Sequence, residues 1–313
     1  MTRVGAVDCG TNSIRLLIAD VGPERRLTDV VRRMEVVRLG YGVDRTGLID
    51  PAAMARTLAM SGEYAAACRD HGVEQVRFVA TSASRDARNA AEFVSGVRQA
   101  FGGYDVTPEV VTGDEEAQLS FSGATGDLVA SGLPGPFLVV DLGGGSTEVV
   151  RGTDEVLAAL SVDVGSVRLT ERHLRGDPPT LSEVAAATAD IDAALATVRH
   201  VVGFTGIATV VGLAGSITTV TAHALGLAAY DSRRIHLAAL TAERHEEAAS
   251  ALLSMSRAER AALPFMHPGR VDVIGAGALV WRQLLAAVLA ESPEAGVVTS
   301  EHDILDGIAL SIA

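Results

Sequence analysis

A glycine-rich stretch in the middle of the chain carries the residue types that bind phosphate and a metal ion. Asp141 follows the apolar run Phe137–Val140, which reads as a short buried strand. The residues that come next are Gly143, Gly144, Gly145 and Ser146. Glycine has no Cβ, so its backbone N–H groups can approach an anion closely, and a carboxylate at a strand end suits a hydrated divalent cation. The stretch predicts a phosphate- and metal-binding loop, although an isolated glycine run is more often a plain turn.

The N-terminus holds a second copy of this pattern. The apolar run Val4–Val7 precedes Asp8, and the spacing Asp-x-Gly-x-x-Ser ends at Ser13, as it does in the stretch 141–146. Each copy continues into another apolar run, which predicts a β-hairpin with hydroxyls and amides at its tip. Two such hairpins indicate a duplicated domain. We expect phosphate to bind between the halves, with one Mg²⁺ shared by Asp8 and Asp141.

Two adjacent glutamates are the next candidates. Glu115 and Glu116 follow Asp114, the predicted cap of a helix that starts after Gly113. Acids in the first turn of a helix also complement its dipole, so a purely structural role stays open for both. Adjacent helix positions diverge by about 100°, so only one of the two can face a cleft. Composition does not choose between them.

Arginine supplies all of the basic side chains, because the 26 lysine and arginine residues include no lysine. Phosphate contacts are therefore left to arginine forks, and a Walker-type lysine is excluded. Arg85 precedes a predicted helix after the strand Gln75–Thr81, a position where anions bind readily. Arg15 lies two residues past Ser13 and points toward the loop or away from it. A surface arginine without a function is the commoner alternative.

Composition limits the function further. A chain of 313 residues with 48% hydrophobic residues is long enough for two globular domains. A net charge of −13 and only 4% aromatic residues argue against a nucleic-acid partner.

Cys9 and Cys68 are not spaced for a metal site, and no signal peptide opens the chain, so a cytoplasmic protein is expected. The apolar stretch Val201–Tyr230 is broken by glycines, which predicts a buried strand over Ile207–Leu213, a tight turn and a buried helix, with no membrane partner.

The elements that must position these residues alternate between strands and helices, which predicts an α/β fold. The strands predicted in the first half, besides the hairpin, are Leu27–Leu39, Gln75–Thr81 and Asp105–Val111, and the stretch Asp50–His71 is predicted to be helical. The loop Ser131–Pro136 marks the domain boundary. The predicted domains are residues 1–130 and 131–298, and residues from about 299 to 313 are expected to pack back on the first domain.

Two further patterns are set aside. Gly275–Ala276–Gly277 resembles the start of a dinucleotide fingerprint, but no acid follows at the end of a second strand, so helix packing explains the small residues better. His302–Asp303 lacks the other histidines of a metal phosphohydrolase.

Three separated motifs resemble those of the exopolyphosphatase/guanosine pentaphosphate phosphohydrolase family. They are Asp8–Arg15, Thr112–Ala117 and Asp141–Glu148, and Gly212–Ser216 resembles a fourth, glycine-containing motif. The resemblance extends over essentially the whole chain. It implies the actin-like superfamily, with two duplicated ribonuclease-H-like α/β domains flanking a central cleft.

The resemblance also implies roles for single residues. Glu116 matches the catalytic base, and Glu148, the second candidate catalytic residue, matches a position associated with metal and water. Asp8 and Asp141 are the candidate metal ligands, for Mg²⁺ or alternatively Mn²⁺. The candidate phosphate ligands are Thr11, Asn12, Ser13, Arg15, Arg85, Gly143, Gly144, Gly145 and Ser146.

The implied activity is release of orthophosphate from the end of inorganic polyphosphate. Larger family members carry C-terminal helical domains that do not appear in this sequence, so short chains are the expected substrates. A lysine that follows the fourth motif in the family is also missing, with Thr218 and Thr219 nearby instead. Guanosine pentaphosphate is the alternative substrate, and a non-catalytic actin-like nucleotide-binding regulator or a kinase is the alternative protein class. A homodimer is a family-level expectation.

Overall fold

The computed structural model describes residues 2–23 and 26–312. The strands are β1 Thr2–Cys9, β2 Ser13–Val21, β3 Leu27–Val36, β4 Gln75–Ala80, β5 Glu109–Val110, β6 Phe137–Leu142, β7 Thr147–Gly152, β8 Val156–Val162, β9 Thr209–Leu213, β10 Ala238–Ala239 and β11 Gly296–Thr299. The helices are α1 Val43–Thr46, α2 Pro51–Asp70, α3 Ser82–Asp86, α4 Ala90–Ala100, α5 Gly113–Ala130, α6 Ser166–Arg172, α7 Leu181–Val201, α8 Ala214–Ala224, α9 Ser232–Ile235, α10 Ala242–Ser254, α11 Arg257–Ala261, α12 Ile274–Leu289 and α13 Ile304–Ile312.

The chain separates into two compact units. Unit 1 comprises Met1–Gly123 and Asp303–Ala313, and unit 2 comprises Ala124–His302. The boundaries set from the sequence stay a prediction, and their outermost positions, residues 1 and 313, lie outside the described residues. No helix in the described ranges is both long enough and apolar enough to cross a membrane.

Unit 1 is built on a five-stranded sheet in the order β3-β2-β1-β4-β5. The pairs β1–β2 and β2–β3 are antiparallel, whereas β1–β4 and β4–β5 are parallel. Because side chains alternate across a strand, β1 serves two cores. Val7 packs in a cluster with Tyr64 of α2 and Phe93 of α4, whereas Val4 packs in a cluster with Ile308 of α13.

Two strands of unit 1 are shorter than the sequence predicts. The strand expected over Leu27–Leu39 ends at Val36, because the N–H groups of Val37 and Arg38 bond the carbonyl of Asn12 instead of continuing the ladder. The strand expected over Asp105–Val111 is reduced to β5, the two residues Glu109–Val110. Pro108 stands immediately before it and has no N–H to donate, so the pairing cannot extend through that position.

Unit 2 repeats the topology of unit 1. Its six-stranded sheet has the order β10-β11-β9-β6-β7-β8, in which β6, β7, β8, β9 and β11 correspond in order to β1 through β5. The β6–β7 and β7–β8 pairs are antiparallel, and β6–β9 and β9–β11 are parallel. The duplication predicted from two short motifs is therefore visible in the whole strand order.

The small residues at the start of α12 allow close helix packing in unit 2. A Cβ on Gly277 would lie 2.4 Å from Ser216 Oγ of α8, and a Cβ on Gly275 would lie 2.6 Å from Arg260 Nη2. Contacts this short exclude a larger side chain. The glycines thus bring α12 against its neighbours, which supports the packing interpretation of Gly275–Gly277.

Candidate active site

The glycine loop of unit 2 is the tip of the β6–β7 hairpin. The Gly143 N–H donates to the Ser146 carbonyl at 3.0 Å and closes the turn. The N-terminal hairpin closes in the same way, because the Gly10 N–H donates to the Ser13 carbonyl at 2.9 Å. The two copies of Asp-x-Gly-x-x-Ser therefore form the same turn.

The carbonyl oxygens of the glycine loop are held by the start of α6. The bonds are Ser166 N–H to Gly143 at 3.0 Å, Val167 N–H to Gly144 at 2.8 Å, and Arg168 Nε to Gly145 at 2.7 Å. In a planar trans peptide the C=O and the following N–H point in opposite directions. The N–H groups of residues 144, 145 and 146 therefore face away from α6, on one side of the loop. Three consecutive amides aimed one way form an anion-binding concavity.

The tip of the first hairpin is oriented by the same kind of contacts. The Gly40 N–H donates to the carbonyl of Thr11 at 2.8 Å, and the Arg38 N–H donates to the carbonyl of Asn12 at 2.8 Å. A Cβ on Gly40 would lie 2.3 Å from Thr11 Cγ2, so this approach requires glycine. By the same peptide geometry, the N–H groups of Asn12 and Ser13 face away from the 37–40 segment. Both hairpins thus present backbone donors.

Two candidate acids of unit 2 lie opposite each other in the sheet. Asp141 of β6 pairs in register with Glu148 of β7, and the side chains are 6% and 1% exposed. Ser161 of β8 donates through Oγ to Glu148 Oε1 at 2.6 Å. Carboxylates directly opposite on one sheet face repel, and a bound cation relieves that repulsion. This pair of hard oxygen donors fits Mg²⁺ or Mn²⁺ by its chemistry.

The equivalent register position in unit 1 holds an ion pair. Asp8 pairs across the strands with Arg15, whose Nε and Nη2 donate to Asp8 Oδ2 at 2.9 and 2.7 Å. Arg15 Nη1 also donates to Asp303, just before α13. Burial raises the pKa of the Asp8 carboxyl, and Arg15 opposes that rise. The duplicated hairpins have therefore diverged, with two acids in one copy and an acid and a base in the other. The metal and phosphate roles expected for Asp8 and Arg15 stay predictions.

At the start of α5 the two glutamates have different partners. Thr112 and Glu115 form a reciprocal cap, in which the Glu115 N–H donates to Thr112 Oγ1 at 3.2 Å and the Thr112 N–H donates to Glu115 Oε2 at 2.9 Å. The hydrogen bonds that Thr112 donates to the carboxylate, first from its backbone N–H and then from its hydroxyl, lower the pKa of Glu115. The prediction that Asp114 caps this helix is wrong, because Thr112 does so. The spacing Thr-x-x-Glu is that of a capping box, so the sequence itself indicated that Glu115 has a structural role.

Glu116 is the glutamate left for chemistry. It is 7% exposed and accepts a hydrogen bond from Arg85 Nη1 at 3.1 Å. The same nitrogen donates to the carbonyl of Val111 at 2.9 Å, which anchors the guanidinium beside the helix start. Unit 1 thus brings together two predicted site residues, one acid and one cation, in a defined geometry.

Comparison with known proteins places this arrangement in a family. Residues 17–312 match the Ppx/GppA phosphatase family. Exopolyphosphatase 2 of Mycobacterium tuberculosis is 49% identical over 318 aligned residues, which cover 100% of this chain and 99% of that protein. The chain belongs to the Ppx/GppA phosphatase family. The resemblance read from the sequence motifs is confirmed.

Structures of Ppx/GppA proteins support the same fold. An exopolyphosphatase-like protein is 43% identical with a TM-score of 0.94, covering 100% of this chain and 98% of its own. The Ppx/GppA family member of Aquifex aeolicus is 29% identical with a TM-score of 0.80, covering 99% and 97%. The predicted fold class is confirmed as far as two α/β units with the same strand order.

The fourth motif of this Ppx/GppA chain forms a strained turn at the start of α8. The turn predicted at residues 214–216 is present, although the strand before it begins at Thr209 and not at Ile207. Ala214 has φ +66°, a left-handed conformation that costs energy for a residue with a side chain. A Cβ on Gly215 would lie 2.3 Å from Arg270 Nη2, and Thr219 Oγ1 donates to the Gly215 carbonyl at 2.6 Å. Nothing in the sequence pattern indicated Arg270.

His302 belongs to a cluster that sequence reasoning missed. In unit 2 its Nδ1 bonds Asp127 Oδ2, and His236 Nε2 lies 3.6 Å from the same oxygen. The Glu301 N–H donates to His236 Nδ1 at 3.3 Å, so the proton of a neutral His236 resides on Nε2, facing Asp127. A protonated Nε2 directs its N–H toward Asp127 and has no lone pair for a metal ion. The three residues are therefore better described as a hydrogen-bonded cluster than as a set of metal ligands. The residues are far apart in sequence, which explains why no pattern revealed them.

Proposed function

We propose that this protein is an exopolyphosphatase that hydrolyses the terminal phosphoanhydride of inorganic polyphosphate and releases orthophosphate. The observation that carries the proposal is the ion pair between buried Glu116 and half-buried Arg85 at the start of α5. A carboxylate oriented by a guanidinium is suited to accept a proton from water. The substrate class is supported by the relatives named exopolyphosphatases, including exopolyphosphatase 1 of Mycobacterium bovis at 30% identity over 93% of this chain.

In the proposed mechanism, Glu116 removes the proton of a water molecule that attacks the terminal phosphorus in line. Arg85 orients Glu116 through Nη1, and its remaining N–H groups are available to a phosphate oxygen. The backbone amides of each hairpin tip, taken separately, are suited to donate to phosphate oxygens, where negative charge concentrates. Loss of one such donor typically slows an enzyme by roughly 10²–10³-fold.

Asp141 and Glu148 would hold the divalent cation, with Ser161 fixing the Glu148 carboxylate. The cation, when bound, neutralises phosphate charge and favours attack by water. Its identity as Mg²⁺ or Mn²⁺ and the participation of Asp8 are part of the proposal. The divergence of the two hairpins favours the Asp141–Glu148 pair over the Asp8–Arg15 pair as the binding position.

Phosphate release tests the function directly. The purified protein is supplied with short polyphosphate, long polyphosphate, guanosine pentaphosphate or ATP, each with Mg²⁺, with Mn²⁺ or with a chelator. We expect release from polyphosphate, fastest with short chains and absent with the chelator. Release from long chains at an equal or greater rate would reject the expected preference for short chains.

Guanosine pentaphosphate hydrolysis is the second candidate. A protein of Pseudoalteromonas atlantica named guanosine-5'-triphosphate,3'-diphosphate pyrophosphatase is 35% identical over 63% of this chain and 37% of its own length. Faster release from guanosine pentaphosphate than from any polyphosphate would favour this candidate. No release from any of the four substrates would favour a non-catalytic nucleotide-binding regulator.

The adjacent glutamates provide a matched pair of variants. Glu116→Gln removes the base but keeps an isosteric side chain, so turnover should fall by roughly 10²-fold or more while substrate binding is retained. Glu115→Gln changes the same charge one position away. It keeps an oxygen that can accept the capping bond, so it should cost only about 0.3–1 kcal/mol of charge–dipole stabilisation and leave turnover near that of the wild type.

Initial rates and calorimetric binding of a short polyphosphate measure both effects. Turnover of Glu116→Gln within tenfold of the wild type would reject the assignment of the base. Equal losses in the two variants would mean that helix structure, and not proton transfer, explains the effect.

A further inference from the structure

Arg168 is a buried arginine outside the set of proposed phosphate ligands. It lies in the first turn of α6 and is 9% exposed. Its Nε donates to the carbonyl of Gly145 at 2.7 Å, on the face of the glycine loop opposite the amides. We infer that Arg168 is a positioning residue, which sets the direction and the donor strength of the Ser146 N–H through the Gly145 carbonyl. The inference rests on the part of the proposed function in which this loop binds phosphate.

The geometry of one peptide unit links Arg168 to the phosphate side. The Gly145 C=O and the Ser146 N–H belong to the same planar trans peptide, so holding the oxygen also aims the hydrogen. A charged donor makes a hydrogen bond about twice as strong as a neutral one, and it polarises the peptide it binds. The Ser146 N–H therefore becomes a better donor to an anion.

The three carbonyls of the loop depend on different partners. Those of Gly143 and Gly144 accept from backbone N–H groups of α6, which every substitution except proline keeps. That of Gly145 accepts from a side chain, so its orientation can be lost by mutation. In the first hairpin the carbonyls of Thr11 and Asn12 also accept from backbone groups. Among the described contacts of the loop in unit 2, the backbone hydrogen bonds do not orient the Ser146 N–H. Arg168 does so through the Gly145 carbonyl.

Glycine is required where α6 approaches the loop. A Cβ on Gly165 would lie 2.5 Å from the Gly144 carbonyl oxygen, so this contact places the Arg168 backbone close to the loop. Thr147 Oγ1 donates to the carbonyl of Val164, which ties the end of the loop to the same segment. Asp163 lies 3.6 Å from Arg168 Nη2 but is 72% exposed, so it contributes little to holding the guanidinium. Because these contacts fix the backbone before Arg168, its side chain alone can determine the orientation of the Ser146 N–H.

Three variants separate positioning from folding. Arg168→Met removes the cation and the donor but keeps an unbranched apolar stem. Arg168→Lys keeps the positive charge but replaces the planar guanidinium with an ammonium group on a flexible stem. Arg172→Met removes the same charge from the same helix, where Arg172 bonds the exposed Asp190 at 3.3 Å, and serves as the matched control.

The first measurement is the affinity for inorganic phosphate by calorimetry, since phosphate binding does not require turnover. We expect Arg168→Met to weaken it by roughly 10-fold or more, as for loss of a charge-assisted hydrogen bond. Arg168→Lys should fall between Arg168→Met and the wild type, and Arg172→Met should match the wild type. Thermal unfolding checks that each variant is folded, and if Arg168→Met does not fold, Arg168→Lys alone must show weakened binding.

The second measurement is the steady-state kinetics with short polyphosphate. A positioning role predicts a raised KM in a fully folded variant, whereas a merely structural role lowers the active fraction, and with it kcat, at unchanged KM. Phosphate affinity and KM within twofold of the wild type in both Arg168 variants would overturn the inference. A wild type that binds phosphate but hydrolyses none of the substrates would refute the proposed function and leave the binding test of Arg168 intact. A wild type that binds no phosphate would overturn both.

Discussion

Adjacent side chains in one helix turn differ in role because about 100° separates their directions. Glu115 points back to the helix start and closes the cap with Thr112, whereas Glu116 points to Arg85 and is buried. The same contrast separates Arg15, which neutralises two buried acids, from Arg85, which pairs with one. A residue's type alone does not determine such roles, because the partner determines them.

At the same scale, buried His245 predicts a pH-dependent stability. Trp281 Nε1 donates to its Nδ1 at 3.2 Å, so Nε2 carries the proton, and that atom is buried without a hydrogen-bond partner. Burial lowers the pKa of His245 from 6.5 to about 4. Between these values the unfolded chain binds more protons than the folded one, so the free energy of unfolding falls as pH falls from 6.5 toward 4.

The effect should reach about 2 kcal/mol at pH 5 relative to pH 7.5. Urea unfolding of the wild type and of His245→Phe at the two pH values isolates it, because the variant lacks the titrating group. The variant should lose less stability on acidification than the wild type. Equal losses in the two proteins would contradict a depressed pKa at this position.

At the scale of elements, α5 and α13 cross closely in unit 1. A Cβ on Gly307 would lie 2.0 Å from the Leu119 carbonyl oxygen, and a Cβ on Gly123 would lie 1.9 Å from the carbonyl oxygen of Asp303. Both contacts are with backbone atoms, which cannot give way as a flexible side chain can. The crossing also places the hydrogen bonds between Asp303 and Arg15 at the helix start.

Gly307→Ala should therefore destabilise the protein by at least about 2 kcal/mol, because the two helix backbones must separate. Gly62→Ala in α2 is the matched control, since nothing lies within 4 Å of a Cβ at that position. It should stabilise by about 0.5–1 kcal/mol, because alanine is the better helix former. Urea unfolding measures both, and effects of the same sign would contradict the close crossing.

At the scale of the whole molecule, unit 1 is assembled from both ends of the chain. Ile304, Leu305 and Ile308 of α13 are buried in a cluster with Val4 and Leu17 of the N-terminal strands. Those strands also carry the first hairpin and Asp8. The homodimer, the cytoplasmic location and the lack of nucleic-acid partners stay predictions at this scale.

A chain that stops after His302 should lose the structure of unit 1, because the apolar face of its sheet is exposed to water. Hydrogen exchange of the β1 amides measures this, and we expect protection to drop to the level of unstructured peptide. A chain that stops after Ser311 keeps the buried residues of α13 and should retain protection. Protection of β1 in the shorter chain would contradict the dependence on α13.

The local sequence determined the features that short-range chemistry controls. The spacing Thr-x-x-Glu at Thr180 and Glu183 is typical of a capping box, and the structure forms that box at the start of α7, because caps and helical periodicity involve residues three or four positions apart. The hairpin turns followed from the glycine spacing for the same reason. The duplication could be predicted because the motif itself is repeated.

Only the tertiary structure decided which groups face each other. The pairing of Glu116 with Arg85 joins residues that are 31 positions apart in the chain. The Gly145 carbonyl accepts its hydrogen bond from Arg168, which is 23 positions away in the chain. These contacts arise when separate elements pack together, and no local pattern records them. The glycines alone permit an anion-binding loop, whereas the groups behind their carbonyls direct its amides to one side.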